Sequence, residues 1–341
     1  MKVLVTGSEG YIGSVLTPML KDRGHRVTRL DSLLFAACAF GRVGDMADVV
    51  RKDIRDIAQS DLAGHDAIIH LAGLSNDPLS DLAPDLTMQI NHTAAVNLAR
   101  MARDAGVPRF VFSSTCSVYG FQGDDFITEN NPVNPLTPYA NSKVLAERDL
   151  DQLRSSSFVT VSLRHGTAYG YSPMIRFDLV VNNLVAWAHT TGKILLKSDG
   201  SAWRPMVHVD DICRSFVAAL EADESAISGE VFNIGRTADN IRIRDLAHLI
   251  ARKMPGCKME FMDGATADKR SYRVDCSKAL GGLPGFDAQV SLESGVQQVI
   301  DKITQSDIAG LQFENDRYGR IAHLRHSLAN GSIDTQLRVS A

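Results

Sequence analysis

A chain of 341 residues, 44% apolar and 22% charged, has material for roughly two domains with buried cores and argues against disorder. A formal net charge of −4, with 36 scattered Lys and Arg, gives no polyanion-seeking surface, so nucleic acid is not expected as a partner. No apolar run approaches the ~18 residues of a membrane span, and five cysteines without close pairing suggest neither a disulfide framework nor a zinc site. The N-terminus enters a strand pattern at once, without the regions of a signal peptide, and a reducing cytoplasm is the expected compartment.

Up to about residue 170, short apolar runs alternate with helical patterns. Strands are predicted at 2–6, 26–31, 49–53, 67–72, 109–113 and 159–164, with helices between them, among them 11–23 and 84–105. Gly24 and Gly106 stand just past these two helices, where a C-cap glycine belongs. Such alternation predicts an α/β fold, a doubly wound parallel sheet of Rossmann type covered on both faces. Beyond Gly170 the rhythm breaks. Helices at 177–190, 210–222 and 243–254 and strands at 193–197, 230–235 and 258–262 suggest a smaller α+β lobe. The expected division is a dinucleotide-binding domain over 1–170 and, over 171–341, mainly a substrate-binding lobe with some elements returning to the sheet. The tail from 308 carries a polar helical pattern and no chemical signal.

The first strand runs into Gly7-Ser8-Glu9-Gly10-Tyr11-Ile12-Gly13. Gly7 permits a tight turn, Gly10 lets the backbone approach a pyrophosphate, and Gly13 lets the helix pack closely on the sheet. Free N–H groups around Tyr11 and Ile12, with the helix dipole, would face the phosphates. Asp31, 24 residues after Gly7, ends the second strand. There a carboxylate accepts ribose hydroxyls and repels a 2′-phosphate, which favours NAD over NADP. After the third strand, Asp53-Ile54 could receive the adenine amino group, or Asp53 is a solvated loop acid.

Thr137-Pro138-Tyr139-Ala140-Asn141-Ser142-Lys143 reads as a helix start, with Thr137 as cap and Pro138 in the first turn. Tyr139 and Lys143 then share one face. A nearby ammonium is expected to lower the phenol's pKa. A phenolate can take a proton from a substrate hydroxyl as hydride leaves the same carbon, and the lysine can bind the nicotinamide ribose. Ser113-Ser114-Thr115 ends the fifth strand, where hydroxyls enter the crevice above the sheet.

Together with His70-Leu71-Ala72-Gly73, the run Ser113 to Gly120 (SSTCSVYG), Trp203 to Asp211 (WRPMVHVDD) and Asn233-Ile234-Gly235, these motifs make residues 1–300 resemble the extended short-chain dehydrogenase/reductase superfamily, in its NAD-dependent nucleotide-sugar epimerase/dehydratase family. The resemblance implies that Leu71, Ala72, Gly73 and Ser113 border the cofactor and that Asn91 supports the site from the following helix. It implies a catalytic Thr115 that hydrogen-bonds the reacting oxygen. It also implies that Asn183 contacts the nucleotide diphosphate through its neighbourhood, and that Arg204 and Arg270 bind that diphosphate, with Arg273 competing for the second place. Asn76, in Leu74-Ser75-Asn76-Asp77-Pro78, would line the sugar pocket, or this segment is a loop with Asx-type turns.

Two departures bear on the substrate. Family dehydratases carry an acidic pair after the catalytic threonine, whereas Cys116 and Ser117 stand here. The family's 4-epimerases usually place asparagine where Thr167 stands. Cys116 is either a packing residue or a base with a lowered pKa. The histidines show no metal-ligand spacing, so no metal is expected. The leading expectation is an NAD-dependent nucleotide-sugar 4-epimerase working through a transient 4-keto sugar. The alternative is a 4-ketoreductase of a nucleotide 4-keto-6-deoxy sugar, followed by a dehydratase or a non-catalytic NAD-binding regulator. A homodimer through the helices at 84–105 and 139–153 is expected by analogy.

Overall fold

The computed structural model of the chain describes residues 1–41, 44–75, 77–268 and 270–339. In chain order the first elements are β1 (Lys2–Thr6), α1 (Gly13–Asp22), β2 (Arg26–Asp31), β3 (Val49–Arg51), β4 (Ala67–His70), α2 (Asp77–Leu82), α3 (Pro84–Met88) and, after a π-helical turn (Gln89–Ala94), α4 (Ala95–Asp104). Next come β5 (Arg109–Thr115), β6 (Phe121–Ile127), α5 (Pro138–Asp151), β7 (Val159–His165), β8 (Thr167–Tyr169), α6 (Val180–Thr191), β9 (Lys193–Leu196), β10 (Trp203–His208) and α7 (Val209–Glu221). The chain continues through α8 (Glu224–Ile227), β11 (Val231–Ile234), β12 (Asn240–Arg242), α9 (Ile243–Lys253), β13 (Lys258–Phe261), β14 (Ser271–Val274), α10 (Ser277–Gly282), α11 (Leu292–Thr304) and α12 (Arg320–Ala329).

Seven strands form one parallel sheet in the order β11-β7-β5-β4-β1-β2-β3. Period-two alternation sends Val3, Val5, Val111 and Val161 to one face, against Leu16 and Leu20 of α1 and Ile212 and Phe216 of α7. Leu4, Ile68, Phe110 and Phe112 face the other way, onto Leu98 and Ala99 of α4 and Ala146 and Leu150 of α5. Both faces are therefore dry, which is why these strands read as continuous apolar runs. Helix α7 and strand β11 come from beyond residue 170 and belong to this layer.

The remaining strands form small sheets, β12-β10-β8, β13-β9 and β14-β6. A separate core lies beneath them, with Val181, Leu184, Leu246, Ile250, Val296 and Val299 brought together from α6, α9 and α11. Among the described residues no helix is long and apolar enough to cross a membrane.

Several expected boundaries move for local reasons. The third strand stops at Arg51 because Asp53 caps a short 3₁₀ turn, accepting from the Arg55 N–H at 2.8 Å. Helix 11–23 begins at Gly13. The predicted helix 84–105 is divided by the π-helical turn at Asn91. Gly24 and Gly106 both adopt φ near +80° and close Schellman motifs: the His25 N–H donates to Leu20 and the Val107 N–H to Ala102.

Candidate active site

The strand order reverses between β1 and β4, and a cleft of about 1010 Å³ opens at that point and runs on towards β9 and β10. Gly7 leaves β1 with φ +73°, and a Cβ there would stand 2.6 Å from the Ala72 backbone nitrogen, so only glycine allows the turn to press against the 71–72 wall. A Cβ at Gly13 would stand 2.3 Å from the Gly7 carbonyl. Gly13 thus lets α1 fold back on its own entry loop, rather than on the sheet as its spacing suggested. Gly10, Tyr11 and Ile12 line the cleft, and no side chain caps α1; the Ser14, Val15 and Leu16 N–H groups donate back to the Gly10 and Ile12 carbonyls, so a ligand would meet the backbone ahead of them.

Asp31 borders the same part of the cleft. Its Oδ1 accepts from the Leu33 N–H at 2.7 Å and its Oδ2 from the Glu9 N–H at 3.0 Å. Burial raises its pKa, the two N–H groups oppose this, and each oxygen keeps a lone pair for a ribose hydroxyl. Asp53 and Ile54 stand at the rim, but the Asp53 carboxylate is already gripped by Arg55 at 2.9 and 2.6 Å. An adenine amino group would have to share it.

Leu71, Ala72, Gly73 and Ser113 form the wall beneath. Asn91 stands behind this wall, not in it. Its Oδ1 accepts from the Leu74 N–H at 2.8 Å, and its Nδ2 donates to the Leu74 carbonyl at 2.9 Å and to the Ser142 hydroxyl at 3.3 Å. The π turn thus presents a side chain that pins the 73–74 turn to α5. Asn76 lies outside the described residues.

Thr137 caps α5 through the Ala140 N–H at 3.2 Å, with Pro138 in the first turn. One turn separates Tyr139 from Lys143 along the buried side of this helix. Lys143 Nζ donates to the Ser113 carbonyl at 2.7 Å, lies 4.6 Å from the centre of the Phe112 ring and is 6.0 Å from that of Tyr139. Burial lowers its pKa to about 8, partly opposed by Glu147. The Tyr139 phenol departs from expectation. Burial is the largest influence and raises its pKa, Asp77 adds to this, and Arg176 and a hydrogen bond with Thr115 pull the other way, leaving it pushed up to about 12. The protein alone therefore stores the phenol protonated, and Lys143 is too taken up by Ser113 to reverse this. Thr115, at the end of β5, also accepts from the Ser117 N–H at 3.1 Å.

At the far end of the cleft, Arg204 and Arg270 converge on Asp268. Arg204 Nη2 donates to its Oδ2 at 2.6 Å, and Arg270 grips both oxygens at 3.1 and 2.9 Å. Arg270 also pairs with Asp77. Burial would raise the Asp268 pKa, but both guanidinium groups outweigh it and hold it below the ordinary carboxylate range. Asn183 lines the cleft and donates to the Phe177 carbonyl at 2.8 Å, fixing the entry to α6. Arg273 points elsewhere, donating to the Asp124 carbonyl and stacking 3.9 Å from the Phe126 ring.

Cys116 is fully buried, its Sγ donates to the Arg164 carbonyl at 3.1 Å, and burial pushes its thiol pKa well up. This is the packing alternative of the two open for it. Asp77 lies in the segment expected to line the sugar pocket and does border the cleft, whereas sequence reasoning gave no role to Asp268, Tyr272 and Arg176, which are also in its wall. Arg176 is buried, forks onto Asp178 at 3.1 and 2.5 Å and donates to the Ser75 hydroxyl at 3.0 Å. A charged pair inside the apolar run Met174–Leu179 was the available signal. Among the described residues no group of three or more His, Cys, Asp or Glu could hold a metal ion.

A glycine turn at the switch point, a carboxylate at the end of β2, and a half-buried tyrosine one helical turn from a buried lysine fit a dinucleotide. They define an oxidoreductase-type enzyme of the extended short-chain dehydrogenase/reductase class. The chain belongs to the NAD dependent epimerase/dehydratase family, whose model matches residues 3–235. It is 31% identical to a UDP-glucose 4-epimerase of Mycolicibacterium smegmatis, over 88% of this chain and 98% of that one. It is 26% identical to a UDP-glucuronate 4-epimerase of Thermodesulfobacterium geofontis, over 87% and 94%. Among solved structures, the UDP-glucuronic acid 4-epimerase of Bacillus cereus, in complex with UDP-glucuronic acid and NAD, superposes with a TM-score of 0.75 at 26% identity, over 89% of this chain and 99% of that one.

Proposed function

We propose that this enzyme is an NAD-dependent nucleotide-sugar 4-epimerase acting on a UDP-sugar, with the cofactor held mainly by residues 1–170 and the sugar nucleotide mainly by 171–341. One observation carries the reading: the Tyr139–Thr115 pair sits in the same cleft as the Arg204–Asp268–Arg270 fork, with no acidic side chain directly after Thr115 to expel water. Glycine-loop N–H groups and Asp31 would hold the dinucleotide, and Lys143 its nicotinamide ribose. When bound, NAD supplies a positively charged hydride acceptor beside the phenol and a donor that can return hydride to either face of a 4-keto sugar.

Tyr139, as phenolate, takes the proton of the sugar 4-hydroxyl and gives it back once the configuration has inverted. Thr115 donates to the same oxygen and steadies the charge that develops there. Arg204 and Arg270 hold the diphosphate, so the sugar can turn about its anchored end while its C4 stays within reach of Tyr139.

The test is incubation of the purified protein with C4-deuterated UDP-glucose and UDP-glucuronate without added cofactor. Conversion to the 4-epimer with deuterium retained supports the reading. Stoichiometric consumption of added NADH by a 4-keto sugar nucleotide, without epimerisation, would replace it with the ketoreductase. The five free thiols, four of them buried, suit a cytoplasmic enzyme. A homodimer through the 84–105 and 139–153 helices is checked by sedimentation.

A further inference from the structure

The tail that carries no chemical signal in the sequence delivers a cation to the cofactor half of the cleft. Arg320 opens α12 and lines the cleft together with Asp31, Gly10 and Phe35. Its guanidinium carbon lies 4.5 Å from the centre of the Phe35 ring. Its Nε and Nη2 are shut off from solvent and have no hydrogen-bond partner.

A guanidinium in such a place needs an acceptor, because an unsatisfied buried donor costs more than a made hydrogen bond returns. The nearby carboxylates face other donors. Asp178 is forked by Arg176, and both oxygens of Asp31 accept backbone N–H groups. Both still act on Arg320 only at a distance, while burial and the like charge of Arg176 lower its pKa to about 10. The charge is therefore present at neutral pH and lacks a counter-ion of its own.

The segment that carries Arg320 is anchored on both sides of the cleft. On the sheet side, His323 Nε2 lies 3.2 Å from the Leu34 carbonyl, in the loop that follows Asp31. On the other side, Glu314 accepts from Asn183 at 3.3 Å and from Lys197 at 3.0 Å, and Phe313 packs edge-on against Trp187. A strap fixed at both ends holds its arginine in one place without a partner, which is the arrangement of a preorganised anion site.

We propose that Arg320 binds the diphosphate of the dinucleotide, opposite the glycine loop, and that residues 313–323 are a strap retaining the cofactor between turnovers. The inference rests on the reading of this cleft as a dinucleotide site. Asp31 disfavours a 2′-phosphate beside it, which leaves the diphosphate as the anion of such a ligand within this part of the cleft.

The test uses the full-length protein stripped of cofactor, in wild-type form and as Arg320→Gln and Arg320→Lys, titrated calorimetrically with ADP-ribose and with adenosine. Arg320→Gln is expected to weaken ADP-ribose about tenfold or more, Arg320→Lys less, and neither to change the affinity for adenosine. Without ligand, Arg320→Gln should melt no earlier than wild type, since it removes an uncompensated charge. A wild-type protein that does not bind ADP-ribose overturns the dinucleotide reading itself. Equal binding of ADP-ribose by wild type and Arg320→Gln overturns the role of Arg320 alone. A ligand-free Arg320→Gln protein that melts earlier and loses adenosine as well makes Arg320 a packing residue, which overturns the proposal too.

Discussion

Asp77 and Arg270 stand 193 residues apart in the chain and form an ion pair inside the cleft. The same carboxylate is the next influence on Tyr139 after burial, and it raises the phenol's pKa. On the proposed function a ligand phosphate would compete with Asp77 for Arg270, and the outcome would be felt at the Tyr139 oxygen. On the proposed mechanism Tyr139 works as the phenolate, so activity should rise with pH through its titration. Asp77→Asn removes a negative charge from the neighbourhood and should move the acid limb of the kcat/KM profile to lower pH, by about half a unit to one unit. A limb that stays in place would show that Asp77 has no hold on the phenol.

Arg204 and Arg270 share Asp268, so they should not act independently on the substrate. Replacing either by lysine keeps the charge and removes the planar fork. Each of Arg204→Lys and Arg270→Lys is expected to raise KM for the nucleotide sugar about tenfold with kcat nearly unchanged. The double variant should raise it by clearly less than the product of the two, because the first replacement already frees the carboxylate that organises the other. Strict multiplicativity in steady-state kinetics would mean that the shared carboxylate does not couple them.

Much of the large parallel sheet and its first helix was legible because its signals are local. The β1–glycine loop–α1 unit, the capped start of α5 and the C-terminal glycines Gly24 and Gly106 each follow from a few consecutive residues. What escaped depends on pairing across the chain. Strand β6 reads Phe-Gln-Gly-Asp-Asp-Phe-Ile, a poor strand by composition, and exists because β14 pairs with it from residue 271 onward. Strand β10 contains Pro205, which argues against a strand, yet it pairs with both β8 and β12. The sign of the Tyr139 shift escaped for a related reason. Spacing along a helix places Lys143 nearby, but only the folded chain shows how far each is withdrawn from solvent and that Ser113 claims the ammonium.

Cys116 follows Thr115, yet its thiol is closed in by the core and held protonated by burial. Cys116→Ala should leave kcat within about twofold of wild type and cost about 1 kcal/mol of stability, from the lost packing of one sulfur. Native protein should also resist iodoacetamide at this position, because alkylation needs an accessible thiolate. Rapid labelling of Cys116 with matching loss of turnover would reinstate it as a base.

His70 ends β4 beneath the cofactor wall, with its Nδ1 2.7 Å from the Thr6 hydroxyl and its ring stacked on Phe112 at a centroid distance of 6.0 Å. Burial, helped by the charge of Lys143, lowers its pKa from 6.5 to about 3. Buried His165 behaves alike, also falling to about 3. Below pH 6.5 the unfolded imidazoles take up protons that the folded ones refuse until about pH 3, so the unfolded state holds more protons throughout that window. Stability should therefore decline as pH falls from 6.5 towards 3, with each histidine contributing up to about 1.4 kcal/mol per pH unit to the slope. His70→Gln removes one such proton. Its absolute stability will change with the lost stacking, so the informative quantity is the slope of unfolding free energy between about pH 5.5 and about pH 4.5, measured by urea titration. That slope should be shallower than in wild type by about one proton's worth. Parallel slopes would mean that native His70 titrates near its ordinary value and that the wall beneath the cofactor admits a charge.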